Sequence, residues 1–207
     1  MQHMGDTTPS SPDFDCLFWA ASSQHGYFTN AQAYECGFSR FLLARGTDTG
    51  RFLRIRRGLY RLRAYPSFHR EEVVAAWLAL GKDDAVVSHE SALDLLELSD
   101  VTPNSIHLTV PRSKRHLPAM QGVTIHTTTR PFGPLDIVER DGIRVTSAGR
   151  TIVDAAAWGT APEQIEMAIA QAISMDLVTH DQLTSLASAR GSRVKHLVSA
   201  SLAESRI

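Results

Sequence analysis

A change of period at Gly50 constrains the fold of this chain more than any other feature. From Thr29 to Asp48 the pattern is helical and interrupted once; from Phe52 to Arg63 apolar and arginine residues alternate. Thr29 and Gln32 have capping-box spacing, with Phe28 and Ala33 at the flanking staple positions, which predicts a helix starting at Asn30. Gly37 supplies the positive-φ residue of a tight inter-helix turn, so this helix ends near Cys36. Ser39 caps a second helix whose first turn carries Arg40 and Phe41, and Gly50 stops it after Thr47-Asp48-Thr49. Beyond it, Leu53 and Ile55 are expected on one face and Arg54 and Arg56 on the other. Arg57-Gly58 makes the turn, and Tyr60 and Leu62 then alternate with Arg61 and Arg63. Two short helices followed at once by a hairpin predict a winged helix-turn-helix.

Charge points the same way. Residues 27–70 hold Arg40, Arg45, Arg51, Arg54, Arg56, Arg57, Arg61, Arg63 and Arg70 against only Glu35 and Asp48, while the whole chain carries a net charge of −1. The remainder is therefore acidic, and the molecule is polarised as a phosphate binder would be. A protein-interaction module, or the solvated face of a purely structural one, could also be arginine-rich. The block contains no lysine, however, and the planar guanidinium fork suits phosphates and guanine edges.

The 207 residues, 43% apolar, suffice for two small domains. Residues 1–12 are small, polar and unpatterned, and are expected to form a disordered leader. A helix with Phe14, Leu17, Phe18 and Ala21 on one face opens a winged-helix domain over residues 13–66. An α+β domain is expected over residues 67–207. Its pattern predicts helices at 71–80 and from Ser88, then strands at 105–110, 123–129 and 143–147. A helix from Ala148 and two or three more, broken near Thr179 and Gly191, complete it. Cys16 and Cys36 have no metal-ligand spacing and suggest no disulfide framework, which fits a reducing compartment. No apolar run approaches the ~18 residues of a membrane span, so a cytoplasmic protein is expected.

No catalytic residue, metal ligand set or cofactor motif is assembled by the sequence. Ser88-His89-Glu90 has the residue types of a hydrolase, but neighbours on a helical turn do not face one another; Ser88 reads as an N-cap. His107 and His126 fall on the polar faces of their strands with Thr109, Thr124 and Thr128; a wetted sheet face is expected, with a partner-binding or metal surface as the alternative. No carboxylate or cysteine spacing completes a metal site there. Arg150 and Asp154, at i and i+4, predict an ion pair within a helix capped by Ser147, or one anchoring that helix to the sheet. Arg112, Lys114 and Arg115 form a possible second basic patch at a hairpin tip.

Two sets of residues carry a resemblance, one in each expected domain. The run from Phe28-Thr29 through Gly37-Phe38-Ser39-Arg40 to Arg54-x-Arg56-Arg57-Gly58-Leu59-Tyr60 resembles the winged helix of AbiEi-type antitoxins of type IV toxin–antitoxin systems. Ser88-His89-Glu90-Ser91-Ala92, Ile106 to Pro111, and Arg150-Thr151-Ile152-Val153-Asp154 resemble marks of that family's second domain. The resemblance implies a repressor that binds inverted repeats in its own promoter. It also implies a functional partner, a nucleotidyltransferase-like toxin, counteracted without a stable complex. The alternative is a protein-interaction module that binds the toxin or another partner directly. Implied DNA contacts fall on Arg40, Phe41, Ala44 and Arg45 of the second helix and on Arg54, Arg56 and Arg57 of the wing. Together with Ser39, Arg51, Arg61 and Arg63 these make the expected DNA-binding set. Gly46 and Thr47-Asp48-Thr49 replace the family's helix-forming basic residues, so a short recognition helix is expected. The acidic motif of the endonuclease domain carried by related chains is missing, and no nuclease activity is expected.

Overall fold

Residues 11–204 are described by the structure, a computed structural model; the leader expected over residues 1–12 lies outside the described residues except for its last two. The chain is α+β, and its contacts divide it into a unit ending at Ala79 and a unit beginning at Leu80.

In the first unit, helix α1 (Phe14–Ser22) is capped by Asp13, whose carboxylate accepts from the Asp15 and Cys16 N–H groups at 2.9 Å. Strand β1 (Tyr27–Thr29) leads into α2 (Asn30–Glu35), and α3 (Arg40–Asp48) follows across Gly37. The capping box is formed, with Thr29 and Gln32 satisfying each other's backbone donors. Ser39 Oγ accepts from the Leu42 N–H at 3.2 Å. The wing strands β2 (Phe52–Arg56) and β3 (Leu59–Leu62) meet at Arg57-Gly58. Gly58, at φ +78°, faces the Asn30 side chain. This succession of helix, strand, two helices and hairpin is that of a winged helix. The sequence pattern anticipated two strands; β1 adds a third, giving the order β1-β3-β2.

The core of this unit is Leu17, Ala21, Phe28, Ala33, Phe38, Leu43 and Phe52, with Tyr60 and Leu62 packed against it. Phe28 lies edge-on to Phe52 and stacks on Tyr60. A side chain at Gly46 would run into the Phe52 ring, so the glycine lets the second helix of the motif close on the wing. A correction concerns the cysteines. Cys16, in α1, and Cys36, which caps α2, form a disulfide with Cα atoms 5.6 Å apart. The Asp13 N–H donating to the Cys36 carbonyl at 2.9 Å holds the two segments together. The fold thus brings within bridging range two thiols whose spacing carried no signal, and the argument from cysteine usage for a reducing compartment falls.

Helix α4 (Glu71–Leu80) ends the first unit. The second is built on a mixed sheet of order β6-β5-β4-β8-β7, comprising β4 (Val86–Val87), β5 (Ile106–Pro111), β6 (Val123–Thr128), β7 (Ile137–Arg140) and β8 (Ile143–Thr146). Helices α5 (His89–Leu95), α6 (Ala148–Trp158), α7 (Pro162–Ser174), α8 (His180–Arg190) and α9 (Ser192–Glu204) enclose one apolar core around Leu93, Ile152, Ile165, Ile169, Leu183 and Val198. The three tail helices break at Thr179, which caps α8 in a second capping box, and at Gly191. Strands β5 and β6 are parallel, with Ile106 opposite Val123 and Thr109 opposite His126. Residues 112–122 are therefore a crossover, not the hairpin expected from their length.

Among the described residues no helix is long and apolar enough to cross a membrane.

Candidate nucleic-acid interface and a buried imidazole cluster

Helix α3 turns Leu43 and Gly46 inward and leaves Ser39, Arg40, Phe41, Ala44 and Arg45 exposed. Phe41 is 71% exposed, an unusual setting for a phenyl ring with two arginines beside it. The wing differs from simple alternation. The β2–β3 register slips between Arg54 and Arg56, which oppose Tyr60 and Leu59. This bulge takes Ile55 out of the ladder and leaves Arg54, Ile55, Arg56 and Arg57 all in solvent, forming a cationic tip. Leu53 and Ile55 were expected inside; Phe52 takes the core position instead.

The remaining arginines divide. Arg51 lies over the Phe14 ring at 3.9 Å from its centroid, and Arg63 Nε donates to the Gly50 carbonyl at 2.6 Å; both stay exposed. Arg61 is a correction. It is buried and donates to the carbonyls of Tyr65 (3.1 Å) and Pro66 (2.7 Å) and to Glu71 Oε1 (2.8 Å). Its pairing opposite Tyr27 and Leu53 puts it on the sheet face covered by the chain leaving the wing, so it leaves the expected DNA-binding set.

The winged unit matches a known family. Residues 18–63 match the family model described as transcriptional regulator, AbiEi antitoxin. The resemblance carried by the sequence is borne out over this AbiEi-like segment, which spans all of β1 to β3. The family is one of regulators. No curated protein matches the chain. Among solved structures, the crystal structure of the RV2827C protein from Mycobacterium tuberculosis is similar, with a TM-score of 0.59 at 16% identity. The alignment covers 90% of this chain and 77% of that one, a likeness of fold.

Outside the AbiEi-like segment, Arg112, Lys114 and Arg115 lie exposed on the β5–β6 crossover, with Lys114 paired to Asp84 at 3.0 Å. Arg150 and Asp154 pair within α6 at 2.8 Å. Both belong to a larger network, in which the exposed Arg190 of α8 also reaches Asp154 and Arg150 lies 3.6 Å from the buried Asp136. Ser147 and Ser88 stand at N-cap positions but make no side-chain cap bond.

The polar face of β5 and β6 is the largest departure from expectation. His107 and Thr109 are almost fully buried, so the β5 half of this face is not a wetted one, while Thr124, His126 and Thr128 of β6 are half-buried. Ser91 of α5 accepts from the His107 backbone N–H at 2.9 Å, beside this face. His107 Nδ1 and His126 Nε2 are hydrogen-bonded at 2.9 Å. His89 stacks on His126 with centroids 3.6 Å apart. His89 Nδ1 lies 2.9 Å from Ser88 Oγ, which in turn meets Thr109 Oγ1 at 2.7 Å. Adjacent residues thus do face each other here, because Ser88 is extended and His89 has φ +53°. Ser88 is fully buried, which is unsuited to a hydrolytic nucleophile. Burial, followed by the neighbouring imidazoles, lowers His89 to about 2 and His126 to about 4; burial also lowers His107, partly offset by Glu90. All three rings are neutral near pH 7. A cavity of about 240 Å³ opens beside His89 and His126, lined also by Thr127, Arg150, Trp158 and Arg190.

Proposed function

We propose that the chain is a sequence-specific DNA-binding repressor that regulates its own promoter and acts as the antitoxin of a type IV system. The observation carrying this reading is the exposed set Arg40, Phe41, Ala44 and Arg45 on α3, joined in one winged unit to a bulged cationic tip of Arg54, Arg56 and Arg57. The family match over residues 18–63 supports it. In the mechanism, α3 enters a major groove, where Arg40 and Arg45 reach base edges and Phe41 gives apolar contact to a thymine methyl. The wing arginines hold phosphates or the adjacent minor groove. Arg51, Arg63 and Ser39 extend the phosphate track. The unit from Leu80 is then the antitoxin domain, whose functional partner is a nucleotidyltransferase-like toxin met without a stable complex. Arg112 and Arg115 are a secondary contact for DNA backbone or an acidic partner. Such a regulator works where the DNA is, in the cytoplasm.

Fluorescence anisotropy on the chain's own upstream duplex and on a scrambled duplex, across a salt series, tests the reading. Six phosphate contacts give a log–log salt slope on the order of −5. Tight, salt-steep binding that prefers the upstream duplex is expected. Equal affinity for both duplexes excludes the self-regulating repressor, and no binding at low salt excludes a DNA interface altogether.

A further inference from the structure

We propose that His89, His107 and His126 form a three-imidazole site for one divalent transition metal ion of the zinc class. The three come from separate elements, the first turn of α5 and the facing sides of β5 and β6, and one ligating atom from each lies within 4.8 Å of the others. Cross-strand register brings the two strand histidines together. His107 opposes Thr124 and His126 opposes Thr109, so both rings stand on one face, one diagonal step apart. The third ring arrives only because His89 adopts a left-handed backbone, which is strained for a residue with a Cβ.

The hydrogen bonds assign the ligating atoms. His89 Nδ1 is held by Ser88 Oγ, leaving Nε2 for the ion. His107 Nε2 is 3.3 Å from Ser105 Oγ and 3.9 Å from Glu90 Oε2, leaving Nδ1. Glu90 is itself fixed by Thr160 at 2.9 Å, and Ser105 by Thr124 at 2.7 Å. His126 contributes Nε2, the atom already 2.9 Å from His107 Nδ1. An imidazole whose far nitrogen is anchored to a hydroxyl or carboxylate is the usual outer arrangement around a bound metal.

Neutral rings offer their lone pairs without first losing a proton. The hydrogen bond between His107 Nδ1 and His126 Nε2 needs one N–H, so metal entry moves that proton, through solvent, to the outer nitrogen of the same ring and releases none. Ligand nitrogens about 2.0–2.1 Å from zinc lie roughly 3.4 Å from each other in a tetrahedron, so the stacked His89 and His126 rings must tilt to aim at a common point. Imidazole-only ligation selects zinc-like ions over magnesium or calcium. The cavity beside His89 and His126 is the route of entry, and it leaves a fourth position for water or a small anion next to Arg150 and Arg190.

The test uses the full chain, freed of metal by chelation, with His3→Gln as background because His3 offers a further imidazole. Zn²⁺ is titrated against a chromophoric chelator, and Co²⁺ is followed by its visible spectrum. One ion per chain is expected. His89→Ala, His107→Ala and His126→Ala should each weaken binding at least tenfold. Ser105→Ala should weaken it about ten- to a hundredfold, and the metal-free melting curve measures separately what the lost hydrogen bonds to Thr124 and His107 cost the fold. Trp158 stands edge-on to all three rings at centroid distances of 4.8–6.2 Å, so Co²⁺ should quench the emission that Trp158→Phe removes. That readout needs no histidine variant to fold. Absence of a saturable Zn²⁺ site, unchanged Trp158 emission at saturating Co²⁺, or undiminished affinity in folded histidine variants would each overturn the proposal.

Discussion

Arg61 and Arg56 carry the same charge five residues apart and do different work. Arg61 is buried between backbone carbonyls and Glu71, and its removal leaves those acceptors and a carboxylate without their donor. Arg61→Ala should lower the stability of the winged unit on the order of 3 kcal/mol. Arg56→Ala, at an exposed tip, should change it by less than about 0.5 kcal/mol; urea melts of the two variants compare them directly. Tyr27 supplies a pH test beside Arg61. Burial, then the Glu71 charge, pushes its phenol up to about 12 from an ordinary 10. The folded pKa is the higher one, so the contribution to stability is complete below pH 10 and is lost as pH rises toward 12. The loss should amount to roughly 2–3 kcal/mol. Tyr27→Phe should flatten that alkaline decline in a melt series; an equally steep decline in the variant would assign it to another group.

At the scale of elements, α3 and the wing divide the labour of recognition. Exchanging Arg54, Arg56 and Arg57 together for alanine should abolish binding to specific and random duplexes alike, since phosphate contacts carry no sequence information. Arg40→Ala or Arg45→Ala should cost about 1–3 kcal/mol on the preferred duplex and narrow its advantage over the scrambled one. Equal losses on both duplexes would remove α3 from base reading. The tie between α1 and α2 is covalent and closes a segment with a sequence separation of 20. Its reduction, or Cys16→Ser with Cys36→Ser, should destabilise the winged unit by roughly 3 kcal/mol in guanidinium melts run with and without reductant. The helix boundaries were legible beforehand because their causes are local. Thr29 with Gln32, Ser39 with Leu42 and Gly37 at the turn act within three or four residues. The wing's facing was not legible. A bulge at Ile55 depends on how β2 lies on β3 and changes which side chains meet solvent.

In the whole molecule, the helices and five of the eight described strands followed from residue pattern, whereas β1, β4 and β7, and all pairing beyond the wing hairpin, did not. β4 is two residues long, too short to show a period, yet it holds the centre of the five-stranded sheet between β5 and β8. Parallel and antiparallel neighbours have the same alternation, so the β5–β6 crossover could pass for a hairpin until the register was seen. The histidine cluster lay hidden for a related reason. His107 and His126 were recognisable as sharing a strand face, but a helix beside that face and the left-handed residue that aims His89 into it are not written in either strand. Taken alone, the sequence determined the capped helices, the hairpin turn and the concentration of arginine between residues 27 and 70, because each rests on neighbours in the chain. Only the tertiary structure decided that Arg61 is internal, that Cys16 meets Cys36 and that three imidazoles converge. Each of these requires segments distant in sequence to be packed together, and the fold alone sets those distances.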